Sequence, residues 1–109
     1  HPLPDPAAFA RFCARLGLPV ARQIVCYDQD DGIWAARAWW LLRAIGLKRV
    51  AVLEGGYRRW VLEGGETTTQ LPELLSEEAV PLRWRQMPWL DTPALEHGLR
   101  GAELIVLDA

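Results

Sequence analysis

Residues 33–45 constrain this chain more than any other segment. They read as a helix whose only charges are Arg37 and Arg43, with Leu, Ala and Trp filling most of the other positions and Gly46 placed to close its C-terminus. A helix apolar on nearly every side has no polar face to give to water, so it must be covered on more than one side. Apolar runs flank it in sequence. Residues 23–27 (Gln-Ile-Val-Cys-Tyr) and 49–53, with Val50, Val52 and Leu53, are each bounded by turn-forming residues. Continuous apolar runs of this length suit strands buried in a parallel sheet. After Glu54-Gly55-Gly56 a short helix follows over 57–62, closed by Gly64-Gly65. Strand, helix, strand and helix joined by short loops predict a right-handed β-α-β unit, and so an α/β fold.

Other segments are simpler. Residues 1–4 are extended and proline-rich; Asp5 then reads as an N-cap with Pro6 at the first helical position. Phe9, Phe12, Cys13 and Leu16 recur at helical spacing up to Gly17, with Arg11 and Arg15 on the other face. Residues 66–80 are polar and non-periodic, as a linker is. Residues 81–85 could form a short strand. Asp91 predicts a helix to about Leu99 with Pro93 in its first turn and Gly101 as its stop, and 104–107 is a third apolar strand. Starting an α/β unit without a leading strand, and ending on a strand, suggest a piece of a longer chain.

At 109 residues the chain has room for one small domain. With 50% hydrophobic and 24% charged residues it has the composition of a folded domain. A net charge of −2 argues against a nucleic-acid partner held by bulk positive charge. No apolar run approaches the roughly 20 residues that span a bilayer, so no membrane partner is expected; a cytoplasmic location is a separate expectation. Two cysteines, Cys13 and Cys26, are too few for a disulfide framework and suit packing. Most of the six tryptophans should lie in the core or at an interface.

In open parallel sheets, ligands bind beyond the carboxyl ends of the strands. Asp28-Gln29-Asp30-Asp31-Gly32 lies at such an end and leads into the helix beginning at Ile33. Its backbone N–H groups would form a cradle for an anion.

Three stretches together resemble a known family: Ile24-Val25-Cys26-Tyr27-Asp28; residues 35–46, with Trp39-Trp40 at their centre; and Val52-Leu53-Glu54-Gly55-Gly56-Tyr57-Arg58-Arg59-Trp60. They resemble the rhodanese-like sulfurtransferases, in particular the first domain of the two-domain thiosulfate/3-mercaptopyruvate enzymes. The likeness implies a three-layer fold with a central parallel sheet and helices on both faces, present here as an incomplete piece. By the same likeness, residues 1–65 are part of a non-catalytic first domain, 66–80 a linker and 81–109 the opening of a second domain. The final strand could then fill the vacant place of the missing first strand, within one chain or by exchange between chains.

In that family a cysteine at the end of this strand takes sulfur from a donor, becomes a persulfide and passes the sulfur to cyanide or another thiol, with no cofactor. The thiolate needs a nest of N–H donors and a helix N-terminus behind it. Here Asp28 stands at the cysteine position, and a carboxylate cannot carry a persulfide. The resemblance therefore implies the silent half of a sulfurtransferase, with Asp28, Gln29, Asp30, Asp31, Gly32 and Ile33 as a degenerate loop. Its partners would be the sulfur donor and acceptor, met in the parent protein, and a second rhodanese domain. Asp30 and Asp31 add negative charge that repels thiosulfate. Trp34 and Arg37 are candidates for facing the other domain or the substrate.

Each candidate has a plainer reading. Three carboxylates in four residues invite a cation, but the longer ligand pattern of a calcium loop is absent, and a helix-capping role for Asp28 is simpler. Strand alternation sends Cys26 away from Tyr27, toward a covering helix, so it packs rather than reacts. His1 and His97 have no ligand at metal spacing, and His97 suits a solvated helix face. Arg37 and Arg43 could be structural, paired with Asp31. The alternative function is a non-catalytic rhodanese-like module for protein binding or regulation. A phosphatase-like reading lacks its cysteine and arginine.

Overall fold

A computed structural model describes residues 2–71, 73, 90–101 and 104–107. Strands β1 (Ile24–Cys26) and β2 (Val50–Val52) pair in parallel, with Ile24 beside Val50 and Cys26 beside Val52. Between them runs helix α2 (Ile33–Ala44), which packs on both strands, so the β-α-β unit stands as expected. Its exit follows from Gly46, whose φ of 96° lets the chain turn back. Gly46 N–H then donates to Arg43 O at 3.0 Å and Leu47 N–H to Leu42 O at 3.1 Å, satisfying carbonyls that a helix end leaves free. The Trp39 indole N–H donates to Val50 O at 3.1 Å and pins the helix to the strand.

Helix α1 (Pro6–Arg15) begins as read, with the Asp5 carboxylate accepting from Ala8 N–H at 2.8 Å. It packs Cys13 into a core with Cys26, Ala35, Leu42, Ile45 and Val50. Phe12 and Leu16 of its apolar stripe stay exposed, and a short 3-10 turn, Leu18–Val20, which the sequence did not announce, follows it. Helix α3 (Gly56–Leu62) leaves β2 at its carboxyl end. Helix α4 (Thr92–Arg100) is capped by Asp91, which accepts from Ala94 N–H at 2.9 Å.

Three expectations change. The strands are shorter than the apolar runs and are buried on one face only. Ile24 and Cys26 face the core, whereas Val25 and Tyr27, which alternate with them, are half exposed. On that open side α3 supplies Tyr57 and Trp60, which with Val25, Tyr27 and Leu53 line a groove of about 470 Å³. Likewise α2 is covered less fully than its composition asks, since Ile33, Trp34 and Trp39 are exposed although Ala35 and Ala44, on opposite sides of the helix, are buried. Hydrophobicity asks for cover, but the described residues supply one layer over the core face and only the edge of another. Third, residues 104–107 form no strand, and the sheet of the described residues is β1 with β2. A strand needs a neighbour for its N–H and C=O groups. Here Leu104 instead sits over Gly98, and the idea that 104–107 fills a vacancy in the sheet of its own chain falls with the strand. The proposed strand at 81–85 and most of the 66–80 linker lie outside the described residues; residues 66–71 are irregular.

Candidate functional site

The carboxyl end of β1 delivers Tyr27 and Asp28 to the N-terminus of α2. Asp28 is held there from both of its ends. Its backbone carbonyl accepts from Tyr57 N–H at 2.9 Å, tying the loop to the first turn of α3. That approach requires glycine at position 56, where φ is 56° and a Cβ would lie 2.7 Å from the Asp28 carbonyl oxygen.

The Asp28 side chain folds into its own loop. Oδ1 accepts from Asp30 N–H at 3.2 Å and Gly32 N–H at 3.1 Å, while Oδ2 accepts from Ala35 N–H at 2.9 Å. Gly32 opens the helix with φ at 90° and has no side chain to cap it, so a residue four positions earlier does the capping. The anion cradle anticipated from sequence is therefore filled by a carboxylate of the same chain. Hydrogen bonds from Ala35 first, then Gly32, Asp30 and Trp34, hold the Asp28 carboxyl below its ordinary value of 3.8, against a smaller opposing effect of desolvation.

A pH dependence follows, with its sign. A depressed carboxylate pKa contributes stability that is present above the ordinary value and lost as pH falls through the folded-state value. The gap in thermal midpoint between the chain and its Asp28→Asn variant should be constant near neutral pH and close only below the usual aspartate range. Thermal melts followed by circular dichroism from about pH 7 down to about pH 2.5 check this; a gap that closes near neutrality would contradict the assignment.

The remaining predicted residues take different places. Gln29, Asp30 and Asp31 are exposed, and Asp31 accepts a long 3.4 Å bond from Ile33 N–H. Ile33 and Trp34 are exposed on the first turn of α2, next to the loop. Arg37 donates to Pro2 O at 2.9 Å and Arg43 to Lys48 O at 2.7 Å, so both tie down backbone, and Arg43 is exposed. Cys26 and Cys13 are buried; burial pushes the Cys26 thiol up and the Cys13 thiol to about 11. His97 is exposed on α4, and His1 lies outside the described residues. Among the described residues no cluster of His, Cys, Asp or Glu could hold a metal ion, and no helix is long and apolar enough to cross a membrane.

The sequence reading did not single out the aromatic side of the site. The Tyr27 and Tyr57 rings stack with centroids 6.4 Å apart, forming one wall of the groove behind the loop. The available signal was the alternation along β1, which puts Val25 and Tyr27 on one side and Cys26 on the other.

The profile of the rhodanese-like domain matches residues 1–63. The chain is 43% identical over 70 residues to thiosulfate sulfurtransferase of Gallus gallus, covering 62% of this chain and 24% of the relative. It is 40% identical over 70 residues to thiosulfate sulfurtransferase of Bos taurus, with the same coverage of 62% and 24%. To 3-mercaptopyruvate sulfurtransferase of Homo sapiens it is 43% identical over 63 residues, or 56% of this chain and 21% of the relative. The matches thus span about a quarter of the length of these relatives. No solved structure matches the chain.

Proposed function

Because the chain belongs to the rhodanese-like domain family, we propose that it is the silent scaffold half of a sulfurtransferase. The parent would move sulfane sulfur from thiosulfate or 3-mercaptopyruvate to a thiophilic acceptor such as cyanide, through a cysteine persulfide. With thiosulfate, the thiolate attacks the outer sulfur, the sulfur–sulfur bond breaks and sulfite leaves. Cyanide then takes that sulfur as thiocyanate and the thiolate returns.

One observation carries the scaffold assignment: the N–H groups that would steady a thiolate are bonded to the Asp28 carboxylate. A carboxylate oxygen is a hard, weakly nucleophilic atom and holds no sulfane sulfur. Cys26 lies two residues away, but its side chain is in the core and its raised pKa keeps the thiol protonated at neutral pH. The nucleophile of the parent would therefore be carried by chain outside these residues. The exposed apolar pair Ile33 and Trp34, beside Asp30 and Asp31, supports a role as the wall against a second rhodanese domain rather than as a donor site. Arg37, hydrogen-bonded to Pro2 O, would support that wall from behind.

The test is thiocyanate formation by the 109-residue chain with thiosulfate or 3-mercaptopyruvate as donor and cyanide as acceptor. The expected rate equals that of the donor and cyanide without protein. Turnover that disappears in Cys26→Ser would overturn the scaffold assignment and make this stretch an enzyme in its own right.

A further inference from the structure

The end of the sheet opposite Asp28 carries a second electrostatic feature. Lys48 and Arg49 lead into β2 and Arg22 stands two residues ahead of β1; because the strands are parallel and Ile24 sits beside Val50, all three reach the same amino edge. Ile24 N–H donates to Arg49 O at 2.8 Å, holding the two strands together there. Arg43, in the last turn of α2, joins them through its 2.7 Å bond to Lys48 O. All four side chains are exposed.

Among the described residues no ion pair joins these side chains to a carboxylate. Residues 6–27 and 32–53 contain no Asp or Glu at all. The ion pairs of the described residues join Arg59 to Glu54 and Glu63, and Arg100 to Glu96. Arg43 has a local task, since a cation in the last turn offsets the negative end of the helix dipole. Arg22, Lys48 and Arg49 lie outside the helices and have no such task. Four like charges gathered on one edge raise the positive potential there while the loop acids of Asp28, Asp30 and Asp31 stand at the other end.

We propose that this amino edge is a docking surface for a short acidic segment of a protein partner. Arginine presents a planar fork that matches a carboxylate in bidentate fashion, and three of the four cations are arginines. A short segment fits better than a nucleic acid. The chain as a whole is net −2 and the loop acids Asp28, Asp30 and Asp31 lie at the far end of the sheet, so a long polyanion running past the edge meets repulsion.

The test is a fluorescence-anisotropy titration of a labelled Asp/Glu hexapeptide with the 109-residue chain. It is run at about 20 mM and about 150 mM NaCl. Binding that weakens with salt is expected. Lys48→Glu with Arg49→Glu should weaken it by about tenfold or more. The charge-matched pair Arg11→Glu with Arg58→Glu, on α1 and α3, should weaken it much less. Matching thermal midpoints for the two double variants exclude a folding defect. Absence of binding, or equal losses from the two pairs, overturns the proposal. So does tighter binding of a single-stranded oligonucleotide of the same charge, which would make the edge a nucleic-acid surface.

Discussion

Gly56→Ala is expected to destabilise the chain by about 2–3 kcal/mol. The residue has φ at 56°, in the left-handed region, and that strain alone costs an L-residue roughly 1 kcal/mol. The added Cβ would also stand 2.7 Å from the Asp28 carbonyl oxygen, a backbone atom that cannot swing aside as a long side chain could. Relief requires α3 to retreat, which stretches the 2.9 Å bond from Tyr57 N–H to that same oxygen. The effect should reach the site. Amide exchange at Gly32 and Ala35, whose N–H groups bond to Asp28, should accelerate more than exchange at Leu42. Gly64→Ala is the matched comparison, because its φ is 82° but nothing lies within 4 Å of the new Cβ. It should cost only the conformational strain, about 1 kcal/mol. Chemical denaturation of the two variants decides: equal losses would mean that the α3–loop contact does not hold the site in shape.

Leu42→Ala should be costlier still, about 3–4 kcal/mol, a large fraction of the stability of a small domain. Leu42 is 5% exposed, and the other buried hydrophobic residues described are Ile45, Val50, two cysteines and four alanines. With so few large side chains in the core, little can move in to fill the space, and the cavity term is added to the lost transfer energy. Leu42→Val should lose less, since most of the volume remains. Leu62→Ala, at a position 77% exposed, should be close to neutral. Thermal unfolding ranks the three. A mild Leu42→Ala would show that the stability of this chain resides somewhere other than the α2–sheet contact.

How much of this was legible in the residues depended on whether the determinant was local. The caps were: Asp5-Pro6 and Asp91 with Pro93 write helix starts into a few adjacent positions, and both carboxylates accept the expected N–H. The crossover was legible too, because two apolar runs around an apolar helix leave few other arrangements. The cover over the sheet was not. An apolar run records that a strand wants burial, and Val25 and Tyr27 have the composition of buried residues while standing half exposed. Residues 104–107 erred in the same direction, since Leu-Ile-Val-Leu states a preference for a strand but cannot supply its neighbour. At the site, the sequence placed Asp28 at the carboxyl end of a strand before a helix. Which amides its oxygens would take depends on the path of five loop residues and on Gly32, and only the folded loop displays it.

A carboxylate anchored within the loop that it fills behaves as a tethered ligand. Its effective concentration at those amides is of the order of millimolar or higher, as for any short intramolecular linkage. Sulfate, phosphate or thiosulfate in solution must outcompete it and bring its charge close to a displaced Asp28. Such a tether would insulate the loop from the anion content of its surroundings, a useful property in the interdomain wall proposed for it.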